Sequence, residues 1–102
     1  MEGEIFYKMK ASRLGDTGSG HDACPPTTVS SCSPNVIIEG RGAARIGDSL
    51  VSHGCLVHPN HGRTIVSGSP NVIVNNSPLA RISSSIDCGG ELIEGASSVQ
   101  TS

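Results

Sequence analysis

Two stretches of the sequence, SPNVII beginning at residue 33 and SPNVIV beginning at residue 69, are nearly the same. The likeness runs on, since GRGAARI at 40–46 aligns with NSPLARI at 76–82. A third partial copy stands near the start, where ASRLGD at 11–16 matches AARIGD at 43–48, and GGELIEGASSV at 89–99 loosely echoes HGRTIVSGSPNV at 61–72. A chain made of about two and a half copies of one short unit folds by packing those units against each other, because no single unit buries its own apolar face.

Each unit reads as a hairpin. PNVIIEGRGAARIGD holds a β-branched run, a turn around Glu39 to Gly42 and a second run ending in Gly-Asp; PNVIVNNSPLARI repeats this with Asn75-Asn76 in the turn. Asn and Gly tolerate the positive φ that tight hairpin turns require. No window has a helical period, and ELIEGASS has room for one helical turn at most before Gly95. The expected fold is all-β, one domain over residues 1–102, built of short hairpins and long loops.

With one Phe, one Tyr and no Trp, the core is thin, and a small core of this kind needs a staple. Four Cys and four His are the candidates. The net charge of −2 argues against a nucleic-acid partner, which calls for a basic face. No apolar run approaches the roughly 20 residues that span a bilayer. MEGEIFYKMK lacks the features of a signal peptide, so synthesis and folding in a cytoplasm are expected. There cysteines serve as metal ligands or free thiols more often than as disulfides.

The repeat places the candidate ligands. His21 follows Asp16 by five residues and His53 follows Asp48 by five; Cys88 follows Ser84, which stands in the place of those Asp residues, by four. Units packed around a common axis bring these three together, and His and Cys both serve zinc. HPNHG offers a fourth ligand. His61 is favoured over His58 because it directly precedes Gly62 at the opening of the next strand, and Cys55, two residues from His53, is a further alternative. A set of three His and one Cys fills a tetrahedron and leaves no place for water, which makes the site structural. Cys24, Cys32 and Cys55 are left over as small buried thiols, or Cys24 and Cys32 pair across the Pro-rich loop. Asp16 and Asp48 are expected to cap their turns by accepting backbone N–H bonds. No phosphate loop or nucleophile elbow is present, and no catalytic set or organic-cofactor site is expected.

GAAR at 42–45 and PLAR at 78–81 are variants of Pro-Ala-Ala-Arg, and with RLGDTGSGHDACPP, GSPNVIV, HPNHGRTI and DCGG they resemble the PAAR-repeat proteins over about residues 11–96. Gly42 stands where the motif has Pro, and Leu79 where it has Ala. The resemblance implies a small conical β-structure with zinc near its apex, held by His21, His53, His61 and Cys88. It also implies a place on the trimeric valine-glycine-repeat spike of a type VI secretion apparatus or contractile phage tail. There the protein would sharpen the spike, aid envelope piercing and carry effectors. It would act as a monomer, without stable membrane insertion and without enzymatic activity. Residues 97–102 are expected to be a polar tail, with cargo bound non-covalently. The PNVII and PNVIV hairpins are the expected docking surface, Phe6 and Tyr7 packing at the base or on a partner. Two other readings compete. One is a zinc hydrolase using Asp87 or Glu91 as base; the other is a disulfide-stapled secreted binding module.

Overall fold

The computed structural model describes residues 8–56 and 58–102. Phe6 and Tyr7, for which packing at the base was expected, lie outside them. Every regular element is a short strand: β1 (Met9–Lys10), β2 (Thr17–Gly18), β3 (Thr27–Thr28), β4 (Ile37–Ile38), β5 (Arg41–Gly42), β6 (Ser49–His53), β7 (His61–Thr64), β8 (Ile73–Val74), β9 (Ser77–Pro78) and β10 (Gln100–Thr101). The fold is all-β, as expected, with no helix among the described residues. In ELIEGASS the backbone bridges Glu91 to Ser85 and Leu92 to Gly18 instead of turning helically.

β4 and β5 are joined by Glu39-Gly40, and β8 and β9 by Asn75-Asn76; all four turn residues have positive φ. Two residues of positive φ make the hairpin turn whose twist matches that of its strands. The first turn is tighter than the expected Glu39 to Gly42, because Arg41 and Gly42 already belong to β5. Glu39 is held there by its carboxylate, which accepts from Arg13 Nη1 at 3.0 Å and from the Ser98 backbone N–H at 2.9 Å.

A third lobe of the same design is assembled from sequence-distant segments. β1 pairs with β10, Met9 against Thr101 and Lys10 against Gln100. The Ala11 N–H donates to Val99 O as Ala43 donates to Val36 and Leu79 to Val72, each at 2.9 Å. Residues 97–102 are therefore not a free tail. Gln100 and Thr101 complete the hairpin, Thr101 Oγ1 meets Ser69 Oγ at 2.8 Å, and Arg81 Nε donates to Ser102 O at 3.1 Å. Sequence hid this because the segment is polar and its partner lies at the opposite end of the chain. Deleting 97–102 should cost at least about 3 kcal/mol, since Ser98, Val99, Thr101 and Ser102 each make a hydrogen bond to the rest of the chain and each bond is worth about 0.5–1.5 kcal/mol. That corresponds to a drop of about 10–20 °C in Tm. A melt unchanged by the deletion would return these residues to the status of a tail.

The lobes meet in a closed triangle of backbone hydrogen bonds. Ser12 N–H donates to Ala80 O at 3.0 Å, Ala44 to Ser12 O at 3.0 Å and Ala80 to Ala44 O at 2.8 Å. All three residues are fully buried, so only small side chains fit. The next residue in each copy is arginine. The Arg13 backbone N–H and Nε both donate to Asp16 Oδ2, at 2.8 and 2.9 Å, and Arg45 does the same with Asp48. The aspartates thus cap their turns, as expected, and also neutralise an arginine. In the third copy Ser84 Oγ accepts the Arg81 N–H alone, at 3.0 Å.

Two small cores flank this ring. Ala11, Ile38, Ala43, Val74, Leu79 and Ala96 form one, on the side of the hairpin turns. Val29, Ala44, Leu50, Ile65, Ala80, Ile86 and Leu92 form the other, with Cys88 packed on it. Gly18 stands two residues after Asp16, as Leu50 and Ile86 stand two after Asp48 and Ser84. A Cβ at Gly18 would lie 2.5 Å from Leu50 Cδ2 and 2.8 Å from Ile86 Cδ1, so the crowded axis accepts two large side chains only because the copy that carries Asp16 has none.

Candidate metal centre

β6 and β7 run antiparallel, with a register shift between Leu50 and His53 that sets His53 opposite His61. The irregularity re-aims a side chain at the end of a pair of strands. It also fits the spacing in the repeat, where His53 comes five residues after Asp48 but Cys88 only four after Ser84. His21 arrives on the turn that follows β2, and Cys88 on the turn that follows Ile86. Their candidate ligand atoms, with those of His53 and His61, all lie within 4.8 Å of one another. The four residues singled out in the sequence are thereby brought to one place, with Cys88 packed on the core around Leu50 and Ile86.

The rings are oriented by their outer nitrogens. His53 is buried, and its Nδ1–H donates to Pro25 O at 2.7 Å. That leaves the Nε2 lone pair facing His21 Nε2 at 2.8 Å, with Cys88 Sγ 4.0 Å away. His61 Nδ1–H donates to Gly62 O at 3.1 Å, which likewise frees Nε2. His21 Nδ1 faces Asp22 Oδ2 at 3.6 Å. A backbone or carboxylate partner on the outer nitrogen is how metal-binding imidazoles are usually held. The Pro25 carbonyl favours the charged form of His53, but burial together with Arg63, His61 and His21 outweighs it and lowers the pKa. The ring is kept neutral, as metal ligation requires. In a tetrahedral zinc site with three nitrogens and one sulfur, neighbouring donors stand about 3.3–3.6 Å apart. The group observed brackets that spacing, with the His21–His53 nitrogens at 2.8 Å having to part and the Cys88 sulfur, 4.0 Å from His53 Nε2, having to approach, so the donor set fits a divalent metal.

Arg63 is the residue that the sequence reading missed. It is 1 % exposed, and no carboxylate pairs with it among the described residues. Its Nε–H donates to Cys88 Sγ at 3.3 Å, Nη1 to Thr27 Oγ1 at 3.0 Å, and Nη2 to the carbonyls of Ser19 and Gly89. One guanidinium therefore ties together the segments that carry His21 and Cys88, and its charge lies against the sulfur. The available signal was alternation: Ile65 points into the core, and Arg63, two residues earlier in an extended run, shares its face.

The cysteines are corrected. Cys24 is bonded to Cys55, with Cα atoms 5.0 Å apart, and not to Cys32. Cys55 is therefore not a ligand in place of His61, and neither Cys24 nor Cys55 is a thiol; Cys32 and Cys88 are free. His58 is not one of that group of four; its Nε2 lies 2.6 Å from Asp22 Oδ2, and His58, Asp22 and His21 form a second set whose candidate ligand atoms lie within 4.8 Å of one another. The hydrogen bond to His58, then that to His21, holds the exposed Asp22 carboxyl below its ordinary pKa. Asp87 is engaged structurally, with Oδ1 accepting the Thr64 N–H at 3.0 Å.

A family model described as PAAR motif matches residues 19–94, about three quarters of the chain. No curated protein matches the sequence.

Proposed function

The chain belongs to the PAAR-motif family, and on that premise we propose that it is a structural tip for a threefold spike. His21, His53, His61 and Cys88 hold one zinc ion at its narrow end. The four donors saturate a tetrahedron, so the metal supports the fold and does no chemistry. Asp87 is bound to the backbone of Thr64, which argues against its serving as the base of a hydrolase. The single disulfide accompanies the metal group rather than replacing it, and this favours the spike-tip reading over a purely disulfide-stapled module.

The observation that carries the proposal is the backbone triangle of Ser12, Ala44 and Ala80, which gives one chain three similar lobes. A monomer of this design matches a trimeric partner, here the valine-glycine-repeat spike of a type VI secretion apparatus or a contractile tail. In two of the lobes the hairpin turns one residue inward and one outward. Ile38 and Val74 are buried, while Ile37 and Ile73 are each 59 % exposed. The exposed pair forms the centre of the docking face, and the short strands extend the sheets of the spike by edge pairing. No helix among the described residues is long and apolar enough to cross a membrane.

The test is assembly with the homotrimeric spike, read by light scattering. One chain per trimer is expected, and the Ile37→Asp/Ile73→Asp double variant should lose binding while keeping its Tm. No complex, or three chains per trimer, would sink the proposal.

A further inference from the structure

The Cys24–Cys55 bridge lies between the loops that carry three of the four candidate ligands. Cys24 follows His21 by three residues, and its N–H donates to His21 O at 2.8 Å. Pro25, the next residue, supplies the carbonyl that orients His53. Cys55 follows His53 by two residues and opens the loop that returns at His61, and its N–H donates to His58 O at 2.8 Å. Apolar packing adds little here. Among the described residues, neither core cluster includes one from the loops 19–26 or 54–61, and Leu56 is fully exposed. The disulfide is therefore the principal covalent tie that holds the His21 loop against the β6–β7 hairpin.

We propose that the Cys24–Cys55 pair is a redox-controlled element of the metal centre: its oxidation preorganises His21 against His53 and His61 and so tightens metal binding. The inference rests on the zinc reading given above. The pair is oxidised by exchange with a small-molecule disulfide. One cysteine thiolate attacks that disulfide, forming a mixed disulfide and releasing one small thiol; the other cysteine then displaces the second. Two protein thiols are oxidised, one small disulfide is reduced to two thiols, and no metal electron is involved. Linkage makes the effect reciprocal: if oxidation tightens zinc binding by a factor, zinc favours the oxidised pair by the same factor. The metal centre is thus weaker under reducing conditions and tighter under oxidising ones.

Two measurements test this. In the first, zinc affinity is read by competition with a chromophoric chelator, for the oxidised chain and for the Cys24→Ser/Cys55→Ser variant. In the second, the oxidised fraction of the unmutated chain is titrated in glutathione buffers, with and without zinc, and read as a mass shift after alkylation. A folded variant that still takes one zinc but binds it about tenfold more weakly, in the usual range of coupling between sites, supports the proposal. So does a shift of the oxidation midpoint by the same factor. Affinities within twofold and an unmoved midpoint would overturn it. Tighter binding by the reduced unmutated chain would overturn it too, and would mark Cys24 or Cys55 as a ligand. If the oxidised chain takes no zinc at all, the zinc reading itself fails and the coupling falls with it.

Discussion

Cys88→Ser is expected to empty the metal centre and lower Tm by at least about 20 °C, since structural zinc sites contribute on the order of 10 kcal/mol to folding and 1 kcal/mol moves Tm by about 4–8 °C in a domain of this size. Serine nearly preserves the volume of cysteine, so little of the loss comes from packing. The hydroxyl is a poor zinc ligand, and it leaves the buried Arg63 guanidinium without the sulfur at 3.3 Å that faces its charge. Elemental mass spectrometry of protein purified without chelator or tag metal should find about one zinc per chain before the substitution and almost none after. The unmutated chain in excess chelator should melt near the temperature of the variant. Metal loss with an unchanged melt would show that the ion is not structural.

Asp16→Ala should be nearly as damaging, although it lies among the arginine turns and away from the imidazoles. Asp16 is fully buried and accepts from the Arg13 backbone, from two nitrogens of the Arg13 guanidinium and from Arg41 Nη2 at 3.1 Å. Removing one partner of a buried pair strands the other, at a cost of about 3–5 kcal/mol. A fall of about 20 °C in Tm is expected, with zinc still present at one per chain below the transition. The same substitution at the more exposed pair, Asp48→Ala, should cost less. Equal or negligible effects would mean that the arginines find other partners.

The repeat made much of this molecule legible. SPNVII and SPNVIV supply β4 and β8, each paired with the strand just beyond its turn, β5 and β9, and the turns fall at Glu39-Gly40 and Asn75-Asn76, all of positive φ. His21, His53 and Cys88 converge because equivalent points of a repeat meet at its axis, and their positions could be counted from Gly-Asp or from the Ser83-Ser84 that replaces it. His61 has no counterpart in the other copies and is marked only by its place in HPNHG, at the opening of the next strand. The disulfide could not be counted in this way. Cys24 and Cys55 have no counterparts in the other copies, and their pairing depends on two irregular loops meeting in space. Arg63 was hidden because a lone arginine in HGRTI has the composition of a surface strand; only its three-dimensional partners make it internal. The third lobe was hidden for a different reason. Met9–Lys10 and Gln100–Thr101 are not β-branched runs, and they pair across almost the whole described chain.

That last pairing bears on how the molecule comes into being. The hairpins at 37–42 and 73–78 close through two-residue turns and can form as soon as each has been synthesised. The lobe made by β1 and β10 cannot, because residue 9 must wait for residue 101. Distant pairings of this kind slow folding, since the chain gives up its freedom before the contact repays it. A nascent chain on the ribosome would hold two finished lobes around an open seam, and the triangle of Ser12, Ala44 and Ala80 would be left without lasting support beside Ser12 until the final strand arrived.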